Sequence, residues 1–337
     1  MHVLAFKELR AHYQVVAVCD VDGERATEVA GWLRGVRAVT DPAEIWTAAD
    51  IDVVAICTPP GQHRLQVEAA LRGGKDVICE KPLVASVREV EELAVIAIET
   101  GRTVMPVFQY RFGNGLQRLK ALVDQGVAGR PYVANIDLSW RRGADYYAAP
   151  WRGRWDTELG GVLLGHAMHL LDMAVLVLGQ PVAVWARLAT LVNDIETDDS
   201  AAITLRWADG SLATLSATLG STVEISRHRF TFEHLTAESG TDPYTNSFEP
   251  WQFTAAPGHE EAVADALAAH QPGTEDYIGQ FERYAIARAA GDELPVTLES
   301  ARLMLELVTA LYVSSREDRE VTLPLAADDP ALSGWAP

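Results

Sequence analysis

Short apolar runs alternate with amphipathic segments through the first third of the chain. The apolar runs have the length of buried strands, and the amphipathic segments repeat apolar residues at helical spacing. The predicted strands are Gln14–Cys19, Ile51–Cys57, Asp76–Cys79 and Thr103–Val107. The predicted helices are His2–Arg10, Gly23–Leu33, Gln62–Arg72 and Val87–Thr100. Such alternation predicts a Rossmann-like, doubly wound parallel sheet.

The pattern changes after Pro106, where strand-like segments dominate. The predicted strands are Pro131–Trp140, Val182–Val192, Ser200–Trp207, Leu212–Leu219, Glu224–Glu233 and a weaker Tyr244–Phe253. A turn signal at Ala208-Asp209-Gly210 joins two of them as a hairpin, and we predict that the whole set forms an antiparallel meander. Two amphipathic helices are predicted near the end, at Thr274–Ala290 and Leu298–Glu317.

These patterns predict an α/β protein of two domains, for which 337 residues suffice. The first is a nucleotide-binding, Rossmann-like domain over residues 1–106. The second, over residues 107–325, is a substrate and oligomerisation domain with a large, mostly antiparallel sheet. Residues 326–337 form a polar tail for which no fold is predicted.

Asp20 ends the predicted strand Gln14–Cys19, where a Rossmann unit keeps the carboxylate that binds the adenosine ribose. That carboxylate would repel a 2′-phosphate, so we expect NAD in preference to NADP, although Arg25 nearby weakens the expectation. A helix N-cap is the alternative role for Asp20. No glycine precedes Gly23, so the Gly-x-Gly-x-x-Gly loop is missing. We expect the first strand and this loop to be encoded upstream of Met1. The alternative is a Rossmann-type protein that has lost them.

Glu80-Lys81-Pro82 follows the predicted strand Asp76–Cys79. Pro82 ends that strand because it has no N–H to donate to a ladder. Ligands of open parallel sheets bind beyond the carboxyl ends of the strands, and a lysine there can exchange a proton with a substrate hydroxyl. In isolation, the tripeptide would equally well describe a surface turn.

The chain resembles the Gfo/Idh/MocA oxidoreductases from His2 to about Leu325. The resemblance rests on several motifs in the right order: Val16–Asp20, Asp52–His63, Gly74–Leu83, Gln109–Phe112, Gly160–Asp172, Val296–Arg302 and Val321–Leu325. It implies a Rossmann domain, a large sheet domain and a tightly held nicotinamide cofactor that oxidises or reduces sugars and cyclitols. It also implies that Lys81 and His169 are catalytic, and that the cofactor contacts Asp20, Thr58, Pro59, His63, Glu80, Lys81 and Gln109.

His166, His169 and Asp172 recur every three residues in the predicted helix Gly161–Leu178. The family's equivalent helix carries Asp-x-Gly-x-His-x-x-Asp, which His169 and Asp172 match. Gly165 replaces the first Asp, which puts inositol dehydrogenase-like specificity in doubt. The resemblance implies that His169 transfers a proton and contacts the substrate; a core histidine is the alternative. His166 is an extra ring at a position that varies in the family, and we predict that it also contacts the substrate. The spacing fits no standard zinc motif, so we expect no metal.

The segment Ser139–Trp155 holds four arginines and five aromatic residues in an otherwise acidic chain. A plain covering loop explains the aromatic residues but explains the arginines less well, because a guanidinium fork suits carboxylate or phosphate. We therefore predict a substrate-binding loop. Its expected contacts are Tyr146, Trp151, Arg152 and Trp155.

The net charge of −19 disfavours nucleic acid and anionic membranes as partners. No apolar stretch is long enough to span a bilayer. The three cysteines, Cys19, Cys57 and Cys79, are flanked by apolar residues and are odd in number, which favours a reduced, cytoplasmic protein. The open face of the large sheet suits a homodimer or homotetramer.

We therefore predict an NAD(P)-dependent oxidoreductase of a sugar, cyclitol or related polyol. One alternative is a hydrolase or lyase that uses a bound cofactor only for transient oxidation. Another is a non-catalytic binding protein that has lost its dinucleotide, which the missing glycine loop would favour. Net change in cofactor absorbance during turnover separates the first alternative from a dehydrogenase.

Overall fold

The computed structural model describes residues 1–336 and divides into two compact units. Unit 1 comprises Met1–Val84, Arg88–Val107 and Tyr277–Ala301. Unit 2 comprises Ala85–Val87, Phe108–Asp276 and the chain from Arg302 onward. The chain thus leaves unit 1 after Val107 and returns to it at Tyr277–Ala301. This segment was predicted from the sequence to lie in the second domain.

Unit 1 contains five short parallel strands. They are β1 (Ala17–Cys19), β2 (Arg37–Val39), β3 (Val53–Ile56), β4 (Asp76–Cys79) and β5 (Val104–Pro106). They form two groups, β1-β2 and β3-β4-β5, with every pair parallel. In the Rossmann order 3-2-1-4-5-6 these groups correspond to strands 2–3 and 4–6. The break between them falls at the position of strand 1, for which residues 1–336 supply no strand.

Amphipathic helices connect these strands and bury their apolar faces. The helices are α1 (His2–Glu8), α2 (Gly23–Gly31), α3 (Ala43–Trp46), α4 (His63–Arg72) and α5 (Val87–Thr100). Asp22 caps α2 by accepting bonds from the amides of Glu24 and Arg25 at 3.0 and 3.2 Å. The core of this unit includes fully buried Leu71, Ile78 and Leu93. The parallel α/β arrangement predicted from the sequence is confirmed, with helix ends shifted by two residues or fewer in α1, α2 and α4.

Unit 2 is built on an eight-stranded sheet in the order β12-β11-β10-β6-β9-β8-β7-β13. Its strands are β6 (Pro131–Arg141), β7 (Ala183–Ala189), β8 (Ser200–Arg206), β9 (Leu212–Thr218), β10 (Gly220–Phe232), β11 (Leu235–Glu238), β12 (Gln252–Ala255) and β13 (Val321–Thr322). The sheet is mostly antiparallel, as predicted.

The predicted meander is wrong at the centre of this sheet. Strands β6 and β9 pair in parallel, from Val133 opposite Leu212 to Ser139 opposite Thr218. A helix and the β7-β8 hairpin intervene between them in sequence, so the chain crosses over before β9 is laid beside β6. The turn between β8 and β9 is a tight hairpin, and Gly210 adopts φ +87° there.

The predicted strand Tyr244–Phe253 is also wrong over most of its length. Only Gln252 and Phe253 of it belong to a strand, because Pro250 lacks an amide proton for the ladder. Carbonyl groups before Pro250 accept hydrogen bonds from residues outside any strand ladder. Asn246 O accepts from Trp251 Nε1 at 2.8 Å, and Ser247 O accepts from Leu116 N at 3.0 Å. Strands β2 and β11, helix α3 and three helices of unit 2 were not predicted from the sequence: Asn114–Asp124, Ala144–Tyr147 and Glu260–Ala269.

Several helices of unit 2 pack against one another, and the helix Met168–Leu178 also packs against β6. They are α6 (Asn114–Asp124), α7 (Ala144–Tyr147), α8 (Met168–Leu178) and α9 (Glu260–Ala269). Two further helices, α10 (Asp276–Ala290) and α11 (Leu298–Glu317), each start in one unit and continue in the other. None of the helices within residues 1–336 combines the length and the hydropathy needed to cross a membrane.

The C-terminal segment is more ordered than predicted. Pro330–Ser333 form a 3-10 turn, and the Trp335 side chain is 2% exposed. Its indole N–H donates to Leu159 O at 2.7 Å, and its ring stacks on Tyr312 at 6.1 Å. Burial of one large apolar ring with its single donor satisfied explains why this polar segment is held to unit 2.

Candidate functional site

The residues after β4 form a hydrogen-bonded group at the carboxyl edge of the unit 1 sheet. Glu80 Oε2 accepts from the Lys81 amide at 3.1 Å, and Oε1 accepts from Tyr277 Oη at 3.1 Å. His2 Nε2 lies 2.8 Å from the same Oε1. The Glu80 carboxylate is therefore fixed in position, and the half-buried Lys81 follows it directly. Both residues lie where the parallel-sheet rule predicts a ligand.

His63 links the loops that follow β3 and β4. Its Nε2 lies 2.8 Å from Thr58 O, and its Nδ1 lies 2.8 Å from Pro82 O. The ring is fully buried, and burial lowers its pKa despite the carbonyl contacts. Thr58 Oγ1 donates to Gln66 Oε1 at 2.8 Å, and Pro59 is partly exposed beside it. His63 therefore shapes this edge by holding backbone rather than by presenting its own ring.

Asp20 lies at the end of β1, as predicted. Its Oδ1 accepts from Asp22 N at 2.9 Å, and its Oδ2 lies 3.9 Å from the exposed Arg25 guanidinium. The helix N-cap is Asp22 rather than Asp20, so the capping alternative for Asp20 is excluded. Its side chain remains 29% exposed, which leaves the carboxylate able to accept further hydrogen bonds.

In unit 2, His169 lies on α8 with its ring stacked on Tyr110, at 4.6 Å between centroids and 17° between planes. One turn further, Asp172 makes a two-pronged ion pair with Arg111, at 2.8 Å to Nε and 2.6 Å to Nη2. Asp172 is 1% exposed, so this pair anchors α8 to the 3-10 turn Gln109–Phe112. Gln109, a predicted cofactor contact, is buried at the start of that turn.

His166 lies in a single π-helical turn, Leu163–Ala167, directly before α8. Such turns are often found at functional sites because they displace one side chain from the regular helical face. Gly165 within it has open space around the position of an added Cβ. At the position of the family's first Asp, Gly165 therefore leaves open the space next to its Cα, and no other side chain packs there.

Asp198 holds the start of this helical segment, and the sequence analysis did not single it out. Its Oδ1 accepts from Gly161 N at 3.1 Å and from Tyr312 Oη at 2.8 Å, while Oδ2 accepts from Leu163 N at 2.8 Å. Burial raises the pKa of Asp198 against the effect of these donors. Gly161 is required here, because a Cβ would lie 1.7 Å from Asp198 O.

Arginine and aromatic side chains form one group in unit 2. Arg152 lies 3.8 Å from the Tyr146 ring centroid and 4.1 Å from that of Trp151, and it pairs with Glu158 at 2.8 Å. We define the aromatic–arginine cluster by residues linked through such contacts: Trp140, Arg142, Tyr146, Trp151, Arg152, His166 and Tyr244.

This cluster brings together three of the four predicted loop contacts with His166. The His166 ring meets Trp140 edge-on at 5.2 Å, and its Nε2 lies 3.5 Å from Tyr146 Oη. Trp155 is placed elsewhere, since it packs against Tyr312 at 5.6 Å and donates to Glu196 O at 3.0 Å. Trp140, Arg142 and Tyr244 belong to the cluster but were not singled out in the sequence, although the first two lie within the predicted loop segment.

The buried His228 forms a hydrogen bond to α8 and should make the stability of the fold depend on pH. Its Nε2–H donates to Leu170 O at 2.9 Å, and Nδ1 accepts from Asn246 Nδ2 at 3.0 Å, so the ring is neutral. Burial lowers its pKa to about 4. Because the unfolded chain binds this proton first as pH falls, stability is retained above pH ~6.5 and lost between pH ~6.5 and ~4.

We expect wild type to lose about 2–3 kcal/mol of unfolding free energy between pH 7 and about 4.5 from this residue. His228→Gln removes the titration and should flatten that part of the pH dependence in urea unfolding. His12→Gln, at an exposed histidine, serves as the matched control. Equal pH slopes for His228→Gln and wild type would contradict the argument.

Two family models match the chain in order. The first, described as an oxidoreductase family with an NAD-binding Rossmann fold, matches residues 1–108. The second, described as the GFO/IDH/MocA C-terminal domain, matches residues 116–233. Together they cover both the parallel strands of unit 1 and most of the large sheet of unit 2.

Individual relatives agree with these models. Inositol 2-dehydrogenase 3 of Saccharopolyspora erythraea is 33% identical over 135 residues, which are 40% of this chain and 40% of that enzyme. The chain thus matches less than half the length of that relative. D-apiose dehydrogenase of Paraburkholderia graminis is 24% identical over 98% of this chain and 89% of that enzyme.

Solved structures share the fold. The WlbA dehydrogenase of Chromobacterium violaceum, in complex with NADH and UDP-GlcNAcA, is 26% identical with a TM-score of 0.83. The similarity covers 96% of this chain and 92% of that one. The WlbA dehydrogenase of Bordetella pertussis has a TM-score of 0.84 at 24% identity, over 96% of this chain and 95% of that chain.

Proposed function

Because the chain belongs to the Gfo/Idh/MocA oxidoreductase family, we propose that it is an NAD-dependent oxidoreductase of a sugar, cyclitol or related polyol. The observation that carries the proposal is the match of both family models, in order, on a chain whose β4 is followed directly by Glu80 and Lys81. The relatives named above include an inositol dehydrogenase and an apiose dehydrogenase, which supports this substrate class.

The carboxylates of unit 1 fit the ribose parts of a dinucleotide. Asp20 retains a partly exposed carboxylate for the adenosine ribose, and Glu80 offers an oriented one for the nicotinamide ribose. Thr58, Pro59 and His63 shape the loop after β3, and Gln109 is a further proposed contact in unit 2. No residue is assigned to the pyrophosphate, because no glycine-rich turn precedes Asp20.

The aromatic–arginine cluster supports a hydroxyl-rich, uncharged substrate. Arg142 pairs with Glu224 at 2.9 Å, as Arg152 does with Glu158, so the positive charge of both guanidinium groups is already balanced. Aromatic faces and neutralised arginines suit the apolar faces and hydroxyl groups of a sugar ring. A substrate acid would have to displace these carboxylates.

In the proposed reaction, a bound nicotinamide would supply the hydride acceptor or donor. Lys81 would remove the proton from the substrate hydroxyl during oxidation and return it during reduction. His169, whose ring is held flat against Tyr110, would take the second acid–base role and orient the substrate. We also propose a reduced, cytoplasmic location and a homodimer or homotetramer formed through the outer face of the large sheet.

The test is turnover of inositol and D-apiose by the whole chain, followed by reduced-nicotinamide absorbance. We expect a substrate-dependent gain of absorbance with NAD⁺ and a smaller one with NADP⁺, because Asp20 repels a 2′-phosphate. Asp20→Ala should narrow the difference between cofactors. Asp41→Ala is the control, since this carboxylate lies in the loop after β2.

Three results would contradict the proposal in different ways. Product formation without net absorbance change would favour the hydrolase or lyase alternative. Binding of a sugar without any dinucleotide effect would favour a non-catalytic protein. Equal calorimetric affinity for NAD⁺ and NADP⁺ would contradict only the role of Asp20.

A further inference from the structure

One imidazole joins a thiol to a carboxylate at the carboxyl ends of β3 and β4. His2 Nδ1 lies 3.2 Å from Cys57 Sγ, and His2 Nε2 lies 2.8 Å from Glu80 Oε1. The two contacts use opposite ring nitrogens, so the ring connects the two groups in series. Thiol, imidazole and carboxylate in this order form an activated nucleophile whose base is oriented by a third group.

The imidazole is held rigidly, while the thiol reaches solvent. The His2 ring packs on Tyr277 at 5.0 Å and on Phe281 at 4.9 Å, and its residue is 7% exposed. Tyr277 also donates to Glu80 Oε1, so the same helix fixes both the ring and its carboxylate. Cys57 is exposed. A small reagent can therefore reach the sulfur without any movement of its base.

A metal site does not explain this arrangement. Metal ligands converge on one point, whereas Cys57 and Glu80 lie against opposite edges of the His2 ring. Within residues 1–336, no group of three or more His, Cys, Asp or Glu side chains could hold a metal ion. The contacts are those of a proton-transferring chain.

Electrostatics supports a charged ring between the two partners. Burial lowers the pKa of His2, but hydrogen bonds and charges from Cys57 and Glu80 outweigh it and raise that pKa to about 9. A protonated imidazole at this position can give its proton to the thiolate that leaves when Cys57 reacts. Three other titratable groups lie near the ring and its partners. Tyr277 donates a hydrogen bond to Glu80, and the charge of Lys81 lowers the pKa of Glu80. Burial raises the pKa of the Cys79 thiol, which therefore stays protonated.

We propose that Cys57, His2 and Glu80 form a nucleophile triad that makes Cys57 a site of thiol–disulfide exchange with low-molecular-weight disulfides. The Cys57 thiolate attacks one sulfur of the disulfide, forming a new S–S bond as the original S–S bond breaks. The departing thiolate takes the proton held by the His2 imidazolium. The reaction therefore needs no other oxidant, and excess thiol reverses it.

Modification would act on the neighbouring carboxylate. Glu80 is bonded to the same ring, so a mixed disulfide on Cys57 places a new group beside the proposed ribose contact. This consequence rests on the proposed function, and it makes dinucleotide binding sensitive to oxidised thiols. The exchange reaction itself needs no dinucleotide, so the two proposals can fail separately.

The test measures modification of each cysteine in the whole chain by mass spectrometry. Iodoacetamide gives rates for Cys19, Cys57 and Cys79 between pH 6 and 9, and oxidised glutathione gives the adduct. At pH 7 we expect Cys57 to react about tenfold faster in the wild type than in His2→Gln. We also expect the Cys57 rate of the wild type to change less between pH 6 and 9 than that of the variant. Oxidised glutathione should form an adduct at Cys57 that dithiothreitol reverses and that Cys57→Ser lacks.

Several internal controls make the result decisive. His12→Gln changes an exposed histidine and should leave the Cys57 rate unaltered. Cys79 is fully buried, so its protection shows that a variant is folded; Glu80→Gln replaces His2→Gln if that protection is lost. Burial and the nearby Asp20 raise the pKa of Cys19, so Cys19 gives the rate of an exposed thiol that has no base beside it. A Cys57 pH profile like that of Cys19, or one unchanged by the His2 and Glu80 variants, would overturn the triad.

Discussion

Replacing Lys81 by alanine should lower turnover by about 10²–10⁴-fold, the usual contribution of general acid–base catalysis. The residue follows the end of β4 and is only partly buried, so its removal leaves no large cavity. Its backbone amide, which donates to Glu80, is retained in the variant. We therefore expect nearly unchanged dinucleotide affinity and thermal stability, with the loss confined to kcat.

Two further variants separate proton transfer from charge. Lys81→Arg keeps a positive charge but holds its proton too tightly to exchange it, so its turnover should stay close to that of Lys81→Ala. Lys120→Ala removes a lysine paired with Asp124 on α6 and should behave as wild type. His169→Ala should cost less than Lys81→Ala and should raise KM. Near-normal turnover of Lys81→Ala would assign the lysine a turn role and would contradict the proposed chemistry.

The parts of the fold that follow local rules could be predicted from the sequence. The parallel strands of unit 1 are short apolar runs bounded by Gly, Pro and Asp, so their positions are encoded locally. The place of Glu80 and Lys81 beyond β4 follows from the same pattern. The link from His2 to Glu80 spans 78 residues of sequence and has no local signal.

The central pairing of the large sheet could not be predicted for a related reason. The alternation of β6 and β9 shows which side chains face the core, but it is the same for a parallel and an antiparallel neighbour. Which strand lies beside β6 depends on the crossover through α8 and the β7-β8 hairpin. Register and neighbour choice are therefore properties of the whole unit rather than of either strand.

The site in unit 2 shows the same limit. The loop residues Tyr146 and Arg152 stand out in sequence because they combine aromatic and cationic groups in an acidic chain. Asp198 does not, since it is one of two adjacent aspartates in a polar segment. Only the structure shows that the neighbouring Asp199 accepts hydrogen bonds from the loop amides of Leu191 to Asn193, whereas Asp198 accepts them from amides at the start of the helical segment.

Asp198→Ala should lower the free energy of unfolding by about 4 kcal/mol. The change leaves three donors without their carboxylate: the amides of Gly161 and Leu163 and the hydroxyl of Tyr312. Each buried donor left unpaired costs about 1–3 kcal/mol. The backbone bond from Val162 N to Asp198 O, at 2.6 Å, survives the substitution and limits the loss.

The same variant should impair the substrate side of the site, because the held segment leads directly into the π-helical turn with His166. At a temperature where Asp198→Ala is folded, we expect KM to rise more than kcat falls. Tyr312→Phe removes one of the three bonds and should cost only about 1 kcal/mol, while exposed Asp194→Ala in the same loop should cost nothing measurable. If urea unfolding gave Asp198→Ala the stability of Asp194→Ala, the carboxylate would not be holding the helix start, and the turn that positions His166 would have to be stabilised by packing alone.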